Sequence, residues 1–168
     1  MYNSSLLDEA YDLCEEGEYA LALEYYDLVL YKEPNNFTAL INKGVTLQNL
    51  GKNRKAIKCY DAALKLEDNN IDALVNKGSA LHTLGKYHEA IDCYDKAMKV
   101  EPKYAVAMAY KGLSLGELGR LKEAIKCFNA SLRIDKKYNI ALDNKTLALE
   151  LLKENTRLKP KLHKSGKK

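Results

Sequence analysis

Apolar positions in this chain recur at helical spacing. Between residues 71 and 84, Leu74, Val75, Leu81 and Leu84 fall at three-, four- and seven-residue intervals, one face of a helix. The segment Leu84-Gly85-Lys86-Tyr87 interrupts the pattern, with Gly85 placed where a helix ends and the backbone turns left-handed. A second stripe, Ala90, Ile91, Tyr94, Ala97 and Met98, predicts a helix over about 87–100. Pro102 follows where that helix cannot continue. The unit is therefore a pair of short helices joined by a tight turn. Gly78 and Ala90 are expected to face each other across the pair, with Tyr94 filling the space towards the next unit.

The same pattern repeats every 34 residues. Gly17, Gly51, Gly85 and Gly119 share this period, as do Gly44, Gly78 and Gly112. Ala22, Ala56, Ala90 and Ala124 form a third series, and the aromatics Tyr26, Tyr60, Tyr94 and Phe128 a fourth. Four series in one register mark a repeat architecture, in which each helix pair buries its apolar face against its neighbours.

On these residues the chain resembles the tetratricopeptide repeat family. Counting from residues 3, 37, 71 and 105, family position 8 is Gly44, Gly78 and Gly112 but Ala10 in the first repeat, and position 20 is alanine throughout. Position 24 is always aromatic. Position 27 is Val29, Ala63, Ala97 and Ser131; position 32 is Pro34 and Pro102 but Asp68 and Lys136. Position 4, often Trp in the family, is Leu6, Leu40, Leu74 and Met108. The asparagine–lysine–glycine and leucine–glycine–lysine segments look most like archaeal and bacterial members. The resemblance implies an all-α fold, a right-handed α–α superhelix of antiparallel helix pairs. It implies a repeat domain over 3–157 (repeats 3–36, 37–70, 71–104 and 105–138, capping helix 139–157) and a basic, disordered tail over 158–168.

The resemblance also implies a concave groove lined by the first helix of each pair. Family positions 2, 5, 6, 9, 12 and 13 place Tyr11, Ile41, Val45 and Val75 on an apolar floor, with Leu7, Ala109 and Leu113 beside them. Asn42, Asn76 and Tyr110 fall in a polar row with Asp8, extended by Asn144 on the capping helix. An asparagine amide both donates and accepts, so such a row suits the backbone of an extended peptide. The competing expectation is that these amides are solvated or bond between repeats. Chaperone-binding members clamp their ligands' terminal carboxylates with Lys and Arg. At the corresponding positions this chain has Leu7, Tyr11, Asp72 and Asn76, and only Asn42 fits.

Composition changes this picture little. The 168 residues are 46% hydrophobic and 30% charged, ordinary for a folded chain. No apolar run approaches a membrane span, and Met1 to Ala10 has no secretory pattern, so a cytoplasmic protein without a membrane segment is expected. The net charge of +4 is uneven: residues 153–168 carry +6 and the remainder −2, which disfavours nucleic acid as a partner of the folded part. The first repeat alone carries −8. Acidic and basic ends of this kind support a second reading, a homo-oligomer or scaffold assembled head to tail.

Catalytic chemistry has no visible carrier. Cys59, Cys93 and Cys127 share one repeat position, too far apart on neighbouring helices for disulfides and without zinc-site spacing. His82 and His88 are separated by a turn and do not share a helical face, and His163 lies in the tail. No phosphate loop, nucleophile elbow or carboxylate pair is present. The expectation is a non-enzymatic adaptor, with no catalytic, metal or cofactor residues, that binds a partner protein's peptide segment in its groove.

Overall fold

The computed structural model describes residues 2–162, and the side chains of residues 6–157. Within this range every regular element is a helix: α1 (Tyr2–Glu15), α2 (Tyr19–Lys32), α3 (Phe37–Asn49), α4 (Asn53–Leu66), α5 (Ile71–Thr83), α6 (Tyr87–Val100), α7 (Ala105–Glu117), α8 (Leu121–Ile134) and α9 (Asn139–Leu162). α9 covers the expected capping span 139–157 and continues five residues further. His163 and the remainder of the basic tail lie outside the described residues. The chain divides into two compact units, Met1–Val100 with α1–α6 and Glu101–Lys168 with α7–α9.

Local chemistry sets the helix ends. Gly17, Gly51, Gly85 and Gly119 all have positive φ, between 69° and 83°. At Gly85 the backbone N–H donates to His82 O at 2.8 Å, and the N–H of Lys86 reaches back to Leu81 O at 2.9 Å. This paired closure satisfies carbonyls that a helix end leaves bare, and it needs a residue without a Cβ at the turn. The other three glycines close their helices the same way. Two first helices are capped by asparagine: Asn36 Oδ1 accepts from the N–H of Ala39, and Asn70 Oδ1 from the N–H of Ala73, both at 3.0 Å. Each cap is steadied by the glutamate three residues earlier, Glu33 at 2.7 Å and Glu67 at 3.1 Å.

The aromatic series forms the floor of the core. Tyr26, Tyr60, Tyr94 and Phe128 are at most 2% exposed. Burying such a ring contributes about 1.5–3 kcal/mol. Three of the four rings are admitted by a glycine in the first helix of their own repeat: Gly44 meets Tyr60, Gly78 meets Tyr94 and Gly112 meets Phe128. A Cβ added at Gly78 would fall 2.5 Å from Tyr94 Cε1. This corrects the expected place of Tyr94, in the space towards the next unit: its ring lies against Gly78 within its own repeat. Ala90 is fully buried. A flat ring fits against bare backbone where a methyl group would collide with it.

In the first unit, successive pairs are tied by a periodic ion pair. Lys43 on α3 reaches Asp27 on α2, and Lys77 on α5 reaches Asp61 on α4 at 2.6 Å. Burial works against the Lys77 charge. The hydrogen bond and charge of Asp61 outweigh it and hold the ammonium pKa above the usual lysine value. In the second unit, the buried hydroxyl of Ser131 donates to Ala105 O at 2.8 Å, tying α8 to the start of α7.

Candidate functional site

Within the first unit α1 touches α3 and α3 touches α5, so the first helices of three repeats lie side by side. Their shared face carries Tyr11, 56% exposed, and Val45, 37% exposed, where a soluble surface more often places polar side chains. Ile41 is half-buried and packs into the core beside Tyr60 and Ala63. Val75 departs from the expected floor: at 5% exposure it is core, covered by neighbouring helices. Ala109, in the second unit, is fully buried for the same reason. Helical spacing assigns a residue to a stripe but does not show where an adjacent helix covers the stripe's edge.

The asparagines of the polar row have different surroundings. Asn42 is half-buried and hydrogen-bonds towards the Tyr26 hydroxyl from the next repeat, alongside Thr46. Thr46 Oγ1 also donates to the Asn42 backbone carbonyl at 2.8 Å. Burial pushes the Tyr26 phenol well above the ordinary tyrosine range, with the nearby Cys14 thiol adding to it and Thr46 and Asn42 pulling back. In the second unit, Asn144 turns its Nδ2 onto its own helix, donating to Ile140 O at 2.8 Å. Asn76 is half-buried on α5, and its amide is not among the buried polar atoms left without a partner, so water reaches it. Tyr110 is half-buried in the second unit, close enough to Tyr138 for burial first, and then Tyr110, to raise the Tyr138 phenol pKa.

All four cysteines are free, and burial raises the thiol pKa of Cys59 and Cys93. The Cys14 Sγ lies 3.2 Å from Thr46 Oγ1, bridging α1 and α3. His82 packs edge-on against Tyr87 with ring centroids 5.3 Å apart. Among the described residues no three His, Cys, Asp or Glu side chains converge as metal ligands, and no helix is long and apolar enough to cross a membrane.

The sequence matches the family described as Psidin, N-terminal TPR repeats region, over residues 7–105, and the family described as Tetratricopeptide repeat over residues 77–139. This chain belongs to the tetratricopeptide repeat family. Its fold is the all-α tetratricopeptide superhelix, shared with a crystal structure of MamA at 25% identity and a TM-score of 0.79, covering 88% of this chain and 81% of that one. A tetratricopeptide repeat protein from Parabacteroides merdae is 26% identical, also with a TM-score of 0.79, over 91% of this chain and 60% of that one. The first TPR of Spaghetti (RPAP3), bound to the HSP90 peptide SRMEEVD, shares the fold at 24% identity and a TM-score of 0.67, over 69% of this chain and 92% of that one. No curated protein matches the sequence. The tetratricopeptide fold and these neighbours support a protein-interaction module.

Proposed function

We propose that the chain is a non-enzymatic adaptor that binds a segment of a partner protein along the first-helix faces of its repeats. The observation that carries this reading is the exposed apolar pair Tyr11 and Val45 on the first-helix face, with the half-buried, water-accessible Asn76 amide on the same row. An asparagine amide both donates and accepts, so a peptide backbone can replace the water that it now meets. Tyr11 and Val45 stand beside it as exposed apolar contacts, and Ile41 backs them. Asn42 acts in this reading through an amide already oriented by Tyr26. In the second unit Tyr110 and Asn144 form a separate contact patch. The working module is 3–157, in the cytoplasm, with the basic segment 158–168 outside it.

The ligand's charge follows from the first repeat. Nine acids against one lysine give residues 3–36 a charge of −8, which repels an acidic tail and favours a neutral or basic segment. The carboxylate-clamping cations of chaperone-binding relatives are also missing, so an acidic peptide such as the one held by the Spaghetti domain does not suit this face.

A photo-crosslinking amino acid at Val45 tests the reading, with the same group at Lys58, exposed on the second helix of that repeat, as control. In native extract the Val45 probe is expected to crosslink a partner that the Lys58 probe does not. Equal crosslinking from both positions contradicts a first-helix binding face.

A further inference from the structure

One repeat position changes character along the chain, and the change leaves a cavity. Position 12 is Cys14, Gln48, His82 and Gly116. In the first two repeats its side chain meets the aromatic of its own helix pair: the Cys14 Sγ lies 3.8 Å from the Tyr26 hydroxyl, and the Tyr60 hydroxyl donates to Gln48 Oε1 at 2.5 Å. In the fourth repeat both partners are altered together. Gly116 has no side chain, and Phe128 has no hydroxyl for one to meet. A Cβ built on Gly116 would find nothing within 4 Å, and one of the α9 residues lining the space is the small Ala148. The result is a cavity of about 240 Å³ within the second unit, between α7, α8 and α9.

Its lining is apolar where it is deep, and its mouth mixes leucines with Glu117 and Asn144. Phe128 and Leu121 are buried, Leu113 is half-buried, and Leu147 and Leu151 stand 52% and 41% exposed. Asn144 also lines the cavity. Its Nδ2 is committed to Ile140 O, and among the described residues its Oδ1 accepts no hydrogen bond.

We infer that this cavity is an anchor pocket for one phenylalanine- or leucine-sized side chain of a protein ligand. The inference rests on the adaptor reading above. The volume is enough for one such side chain, since a dry apolar cavity of about 150 Å³ already takes benzene. The half-exposed leucines show that the mouth is wide. A free ring lying there would keep much of its surface in water, unlike a small-molecule site that encloses most of its ligand. A side chain tethered to a bound backbone needs no such enclosure, because the rest of the ligand supplies the local concentration. Asn144 Oδ1 is then placed to accept the backbone N–H of the anchoring residue.

The test uses capped amino acids as probes and needs no partner. The full chain, methyl-labelled at leucine, is titrated by NMR with N-acetylphenylalaninamide, N-acetylalaninamide and toluene. The expected result is a saturable shift of Leu113, Leu121, Leu147 and Leu151 with the phenylalanine probe, and binding at least about tenfold weaker for the alanine probe. Gly116→Leu, which fills open space, should abolish the shift while the chain stays folded. Asn144→Ala should weaken the phenylalanine probe about fivefold and leave toluene unchanged. The Asn42→Ala, Asn76→Ala variant should bind the probe like wild type, so that failure of the first-unit face and failure of this pocket are read separately. Absence of shifts, shifts that survive Gly116→Leu, or toluene binding as tightly as the capped residue would each overturn the proposal.

Discussion

The ring of Tyr94 rests against Gly78 so closely that a Cβ on that glycine would fall 2.5 Å from Cε1. Gly78→Ala gains about 1 kcal/mol of helix propensity but must displace a fully buried ring, and overpacking of this kind costs about 1–3 kcal/mol. Net destabilisation is expected. Gly116→Ala, in the corresponding helix of the next repeat, meets open space and should stabilise by about 0.5–1 kcal/mol. Urea denaturation of both variants checks the opposite signs; the same sign for both would contradict the packing described.

The ion pair between Lys77 and Asp61 makes a pH prediction. The Lys77 pKa is raised in the folded chain, so its contribution to stability is fully present below the ordinary lysine pKa of 10.5 and is lost as pH rises through the folded value. Asp61→Asn should therefore cost at most about 1 kcal/mol at pH 7, less at high salt, and nothing relative to wild type once the lysine is neutral. Chemical denaturation of the two proteins at pH 7 and at strongly alkaline pH reads this difference.

The asparagine caps should be worth more than their exposure suggests. Asn70→Ala removes the 3.0 Å bond from the N–H of Ala73 and the tie to Glu67. A loss of about 1 kcal/mol is expected, measured by thermal or urea unfolding. Asn70→Asp retains the acceptor and should recover most of it.

Burial raises the thiol pKa of Cys59 and Cys93, leaving little thiolate at neutral pH. Both should react with a thiol-specific reagent far more slowly in the native chain than after unfolding. Mass spectrometry of the labelled peptides identifies each site. Native labelling as fast as unfolded labelling would show that these thiols are not protected.

Much of this fold is legible in the sequence because its determinants are local. A left-handed turn needs glycine, a helix end after Val100 needs a stop, and a 34-residue period needs only counting. What escaped depends on the neighbouring helix. Val75 and Ile41 occupy the same repeat position, yet one is core and the other half-buried, a difference that repeat spacing does not carry. The Gly78–Tyr94 contact escaped because spacing alone does not show whether a ring packs within its own repeat or towards the next. The different surroundings of Asn42, Asn76 and Asn144 could not be read from their shared spacing. The one available clue was that position 12 loses its side chain at Gly116 in the same repeat in which Tyr becomes Phe128.

The most direct test of the adaptor account is quantitative affinity capture from native extract with wild type and with the Asn42→Ala, Asn76→Ala variant, their equal helicity first established by circular dichroism. The account predicts a protein retained by wild type and lost, by at least about tenfold, from the variant. Recovery of the same proteins in the same amounts by both would contradict it, and would move binding away from the face that carries Asn76.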